Sequence, residues 1–190
     1  MKKSTLLLFI VFSVTFISCK TSKSGIITSK EKAKEKGIYS YNEKPVKVEK
    51  GKSSKPYKRG TISVTKFAIV ETAKSNLGVK YKYAGTTKAG MDCSGLVYSS
   101  FMKYDIELSR VSSEMAKEGK EVSKSKAQEG DLIFFKTNNS RTINHVGIIT
   151  ENNGDELLFI HSSTSKGVII SSLKEEYYAK AFEKIKRILE

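Results

Sequence analysis

The sequence predicts an α+β domain in which helices come first and an antiparallel sheet follows. Two observations carry that expectation. The first half of residues 61–190 holds apolar residues at helical spacing, and the second half holds short apolar runs parted by turn residues. Because those runs succeed one another without intervening helical periods, short turns rather than βαβ crossovers join them.

The elements follow in order. Phe67, Val70, Ala73 and Leu77 fall on one face of a helix over Thr65 to Leu77, with Thr65 placed to cap it and Gly78 to end it. An extended piece spans Val79 to Ala84. Val97, Phe101 and Tyr104 share helical spacing in a segment that starts right after Asp92, so Cys93 falls at a helix N-terminus. Ser112 to Lys117 reads as a short helix closed by Gly119. Strands are expected at Asp131 to Phe135, His145 to Ile149, Leu157 to His161, Val168 to Ile170 and near Ile185 to Leu189. No internal repeat or heptad register is present.

The formal charge of +14 is unevenly placed: residues 20–60 hold 13 Lys and Arg against 4 acids, whereas residues 61–190 hold 19 against 16. The basic character therefore belongs to a segment, not to the domain. Charge alone permits nucleic acid, anionic lipid or anionic wall polymers as partners. Residues 1–18 argue against nucleic acid. Lys2 and Lys3 precede a mostly apolar run from Ser4 to Ile17, the pattern of an export signal, and that run is short of the roughly 20 residues a membrane-crossing helix needs. Phe16-Ile17-Ser18-Cys19 resembles the bacterial lipobox, in which the cysteine becomes the lipidated first residue. Phe16 departs from the usual leucine. A lipidated Cys19 would hold the protein on a bilayer, and Lys20 with its neighbours would add attraction to anionic headgroups. From Lys20 to Gly60, lysines, Pro45, Pro56 and scattered Gly and Ser predict a flexible linker spanning roughly 35 Å as a coil.

With Cys19 lipidated, Cys93 is the one thiol left, and a thiol attacks a carbonyl as thiolate. A helix N-terminus and a neighbouring imidazole both favour that anion. The chain has two histidines, His145 and His161, each at the end of an expected strand. Singly, either is as well read as a structural residue. Together, a nucleophile on a helix, a histidine opening one strand and a second polar residue on a neighbouring strand fit the roles of nucleophile, base and orienter. A metal site lacks the usual close ligand pairs, since neither Cys-x-x-Cys nor His-Glu-x-x-His occurs, and glycine-rich phosphate loops are absent. No metal or cofactor is expected.

Asp92-Cys93-Ser94-Gly95-Leu96-Val97, His145-Val146-Gly147-Ile148 and Phe159-Ile160-His161-Ser162-Ser163 together resemble the NlpC family of peptidoglycan peptidases. Gly78 to Gly85, Arg110-Val111-Ser112 and Gly130 to Phe135 support the likeness in the same order, and it spans about residues 66–189. It implies a papain-like fold, cleavage of wall stem peptides through a Cys93, His145 and His161 site, a Tyr81 near the oxyanion, and a substrate groove lined by Asp92, Ser94 and Ser112. Asp92 and Ser112 read equally well as helix caps. Ala84, Ser109, Met115 and Ser162 depart from the residues frequent in that family. The expected whole is a monomeric lipoprotein of the cell envelope: signal over 1–18, lipidated Cys19 and linker over 19–60, peptidase domain over 61–190, on an outer membrane facing the periplasm. A non-catalytic lipoprotein holding wall peptides in the same groove is the rival reading.

Overall fold

The computed structural model describes residues 59–190, so the expected signal, Cys19 and nearly all of the linker lie outside the described residues. Helix α1 (Arg59–Lys74) begins two residues inside the expected linker and six before Thr65. Thr65 is therefore buried within the helix rather than capping it. The stripe facing the core runs through Thr65, Ile69 and Ala73, at the i, i+4 spacing of one helix face, and Phe67 is turned outward at 43% exposure.

A two-stranded hairpin, β1 (Thr86–Thr87) and β2 (Gly90–Met91), leads into α2 (Cys93–Met102). The short helix α3 (Ser112–Met115) follows, then β3 (Lys120–Val122), β4 (Leu132–Phe135), β5 (His145–Asn152), β6 (Leu157–Ser163), β7 (Gly167–Ser172), α4 (Glu176–Ala181) and β8 (Phe182–Arg187). The main sheet has the order β3-β8-β4-β5-β6-β7 and every pairing in it is antiparallel. The last strand thus lies inside the sheet, between β3 and β4.

Alternation along the strands divides the core. Leu132, Phe134, Val146, Ile148, Ile160, Val168 and Ile170 face α1 and α2, where they meet Ile69, Val70, Ala73, Leu96, Val97 and Phe101. Ile133, Phe135, Ile149, Phe159 and Ile185 face the other way, onto Tyr178 of α4 and Phe182. Tyr104, just past α2, fastens the two long helices: its hydroxyl bonds the Ala68 carbonyl at 3.0 Å and Thr72 Oγ1 at 2.9 Å.

The outer edge of β7 does not end in solvent. Gly78 N–H donates to the Val168 carbonyl at 2.9 Å and Val168 N–H donates to the Val79 carbonyl at 2.8 Å, so a strap of main chain continues the ladder for one step. A side chain at Gly167 would meet Val79 O at 2.2 Å, which is why this turn takes glycine.

Ala84, one of the departures noted above, adopts φ +57° at an exposed position. Left-handed backbone costs a residue with a Cβ about 1–2 kcal/mol, while glycine's greater unfolded-state freedom returns part of that. Ala84→Gly is expected to raise the unfolding free energy by about 0.5–1 kcal/mol, read from urea denaturation; a destabilised variant would show that the backbone here is not strained.

Candidate active site

Asp92 precedes α2 in extended conformation, and its Oδ1 accepts from Gly95 N–H at 2.6 Å, the contact of an N-cap. The cap is itself held. Arg110 Nη2 donates to Asp92 Oδ2 at 2.8 Å and to the Gly85 carbonyl at 3.2 Å, Arg110 Nη1 lies 2.8 Å from Asp92 Oδ1, and Nη1 donates to Ser94 Oγ at 2.7 Å. Ser94 Oγ also reaches Asp92 Oδ1 at 3.3 Å. Asp92 and Ser94 therefore direct their polar atoms toward one another, Gly95 and Arg110. This forked guanidinium fixes the helix start that carries Cys93. No spacing rule links position 110 to position 92, so the sequence alone gives Arg110 no role of its own.

Cys93 is 8% exposed, and its thiol points to the Asn144 carbonyl at 3.9 Å. The amide N–H groups of Val146, Ser94 and Cys93 also act on the sulfur. The thiol thus adjoins the main chain on both sides of His145. Asn144 is in turn clasped by the preceding loop: its Oδ1 accepts from Thr137 N–H at 2.8 Å, and its Nδ2 donates to the Thr137 carbonyl at 3.1 Å.

His145 opens β5 opposite Phe135 of β4, and its Nε2 lies 2.9 Å from His161 Nδ1. The two imidazoles meet edge to face, with centroids 5.0 Å apart, and Tyr178 stacks near the His145 ring at 6.5 Å. His161 is wholly buried, and its Nε2 lies 3.2 Å from Ser171 Oγ of β7. Nε2 of His145 being engaged, Nδ1 is the nitrogen left for the thiol.

Burial and the helix start act on the thiol in opposite senses. Burial pushes the Cys93 thiol up, outweighing the three amide donors that pull it down. Burial likewise brings His145 down to about 4 and holds His161 well below its ordinary range, with His145 and Lys166 adding to the effect. Burial of the thiol thus opposes the anion that the helix start favours. Both histidines titrate lower folded than unfolded, so below about pH 6.5 the unfolded chain takes up protons that the folded one refuses. Stability is expected to fall as pH drops from about 6.5 toward 4, and His161→Asn to remove about one proton from that slope, measured by urea unfolding at stepped pH. An unchanged slope would contradict the neutral buried ring.

Tyr81 is bridged to Met91 and half-buried, and its hydroxyl is pushed up first by burial and then by Cys93 and Asp92, which places it in the same neighbourhood. Ser112 is buried in the first turn of α3; the residue at the cap position is Val111, so Ser112 does not cap that helix. Ser162 uses its hydroxyl to donate to the Met91 carbonyl at 2.7 Å, tying β6 to the hairpin before Cys93. Ser171 and Tyr178 went unnoticed in the sequence, since a serine in an apolar strand and a tyrosine in a short helix carry no spacing signal.

The sequence signature of the NlpC/P60 family matches residues 78–187, which takes in every one of these side chains. The chain belongs to the NlpC/P60 family. It is 39% identical over 139 residues to a probable endopeptidase NlpC of Escherichia coli, covering 72% of this chain and 88% of that protein. It is 38% identical over 123 residues to a probable endopeptidase NlpC homolog of Haemophilus influenzae, covering 64% of this chain and 62% of that one. A murein DD-endopeptidase MepS/murein LD-carboxypeptidase of Escherichia coli is 43% identical over 113 residues, 59% of this chain and 57% of the relative. This chain thus spans about three-fifths of the length of the latter two. An NlpC/P60 family protein from Bacillus cereus superposes with a TM-score of 0.60 at 30% identity, over 66% of this chain and 40% of that one. A lipoprotein-like NLP/P60 family protein from Staphylococcus aureus gives 0.58 at 27% identity, over 74% and 45%. The helices-then-sheet architecture is the papain-like NlpC/P60 fold.

Proposed function

We propose that this NlpC/P60 protein is a peptidoglycan hydrolase that cleaves stem-peptide or cross-link amide bonds through an acyl-enzyme on Cys93. The observation that carries the reading is the 2.9 Å contact between His145 Nε2 and His161 Nδ1, made beside a thiol that adjoins the main chain flanking His145. Relatives named as endopeptidases and as a murein DD-endopeptidase support a peptide-bond substrate in the wall, and a gamma-DL-glutamyl hydrolase of Bacillus subtilis, 39% identical over 115 residues, supports hydrolysis of a glutamyl amide.

In this mechanism His145 Nδ1 takes the thiol proton as the sulfur attacks the carbonyl carbon. The oxyanion is stabilised by the Cys93 amide N–H and the Tyr81 hydroxyl. His145 then protonates the leaving amine, and a water activated by the same ring hydrolyses the thioester. His161 holds the His145 ring, while Asp92, Ser94 and Ser112 border the groove, the first two chiefly by keeping the start of α2 in place.

The same proposal includes export directed by residues 1–18, lipidation of Cys19, and a basic linker that lets a monomeric domain work beside an outer membrane, facing the periplasm. Mass spectrometry of the mature protein, with Cys19→Ser as control, tests the anchor. Incubation of purified protein with peptidoglycan, followed by mass analysis of soluble fragments, tests the activity: new amine and carboxyl ends within stem peptides are expected, and an undigested wall would remove the reading.

A further inference from the structure

A cavity of about 290 Å³ opens on the flank of His145, bounded by the turn between β6 and β7, by α4 and by the loop that leads into β5. Its wall includes His145 but none of Cys93, Tyr81, Asp92, Ser94 and Ser112, so it adjoins the base and not the groove on the thiol's side. In acyl transfer the carbonyl part of the substrate stays on the sulfur, while the leaving nitrogen must reach the imidazole for its proton. The substrate beyond that nitrogen therefore runs toward this cavity. Its volume is close to the lower bound of the roughly 300–1,000 Å³ typical of small-ligand sites and suits one residue rather than a long segment.

Most polar groups on this wall are already committed to the protein. Glu175 Oε1 accepts from Ser172 N–H at 2.9 Å, the Tyr177 hydroxyl donates to Asn138 Oδ1 at 2.9 Å, and Thr137 Oγ1 donates to Asn144 Oδ1 at 3.1 Å. Lys166 is different: among the described residues its ammonium has no hydrogen-bond or ion-pair partner, Glu175 included. Its backbone is nonetheless fixed. Ser163 pairs with Gly167 across the three residues of the turn, and the next amide, Val168 N–H, donates to the Val79 carbonyl at 2.8 Å. An ammonium carries three donors and no acceptor, so the complement of an uncommitted lysine beside the base is an anionic acceptor. We propose that Lys166 is a specificity-determining residue that binds a free carboxylate on the substrate residue supplying the leaving amine. The site then favours a leaving residue that is acidic or ends its chain, and disfavours one whose carboxyl is amidated or continues into further peptide.

This inference rests on the hydrolase reading, and its test keeps the two apart. Soluble stem peptides from peptidoglycan are prepared in two forms, one with carboxylates free and one with them converted to carboxamides. On the acid form Lys166→Gln is expected to lower kcat/KM about five- to tenfold, chiefly through KM, and Lys166→Arg to keep most of the activity. On the amide form the glutamine variant is expected to stay within about twofold of the parent, and the acid-form loss to shrink as salt rises. Calorimetric binding of both forms to Cys93→Ala protein, with and without Lys166→Gln, is expected to give the same contrast in Kd where no turnover occurs. Because Lys166 is exposed, the substitution leaves the core untouched. Equal losses on the two forms, or no loss on the acid form, overturn the inference and leave the hydrolase reading in place. Intact protein that cuts nothing but binds the acid form through Lys166 removes the hydrolase reading and keeps the carboxylate site; protein that neither binds nor cuts either form removes both.

Discussion

Cys93→Ala is expected to lower release of peptides from peptidoglycan by about four orders of magnitude or more, since no covalent intermediate can form without the thiol. The fold has little reason to respond. The sulfur is buried, but the residue loses one atom in the first turn of α2, whose cap on Asp92 is untouched. Thermal unfolding therefore separates loss of chemistry from loss of structure. His145→Ala is expected to do similar damage, and the double variant to be no worse than either single one, because nucleophile and base act as a unit. Chromatography of soluble muropeptides under initial-rate conditions measures all three. Release by Cys93→Ala within tenfold of the parent would mean that the hydrolysis, if present, is done elsewhere.

Gly95→Ala is expected to destabilise the domain by about 3 kcal/mol or more and to reduce activity by about 100-fold in whatever folded fraction survives. An added Cβ would lie 2.0 Å from the Gly85 carbonyl oxygen and 2.9 Å from both Arg110 Nη2 and Asp92 Oδ1. The carbonyl belongs to main chain whose amide is itself bonded, Gly85 N–H donating to Lys82 O at 3.0 Å, so it cannot swing aside cheaply. What must yield is the ion pair that fixes the start of α2, and the sulfur two residues earlier moves with it. Urea unfolding and single-turnover cleavage check the two halves. A variant within about 1 kcal/mol of the parent would show that the approach of the Gly85 loop to the helix is looser than described.

Much of the site could be read in the sequence, and the reason is periodicity. Val97, Phe101 and Tyr104 placed Cys93 at a helix start, and the apolar runs opening at His145 and closing at His161 put the two rings on neighbouring strands, which the antiparallel pairing of β5 with β6 brings together, although β6 continues to Ser163 and leaves His161 inside it rather than at its end. The ends of α1 were missed because a helix start outside the periodic stripe leaves no apolar mark. Of the expected face, Val70, Ala73 and Leu77 are buried, but the packed stripe extends toward Thr65 and Ile69 and leaves Phe67 outside it. The hairpin before Cys93, β3 and α4 are too short to declare a period. Arg110 and Ser171 act at a distance in the chain, and side chains that matter through a partner 10 to 18 residues away have no local signature. The electrostatics of the thiol are only half legible for a related reason: the helix N-terminus is visible in sequence, while the burial that opposes it depends on tertiary packing.

The strap of Gly78 and Val79 along β7 bears on how copies of this protein behave when crowded. A sheet margin with free amides and carbonyls is a template for a neighbour's strand. Here the protein's own backbone takes up the first margin at Val168, and the opposite one is three residues long and begins with the exposed Lys120 and Glu121. Both devices shorten the stretch of free amides and carbonyls that a second molecule's strand could pair with.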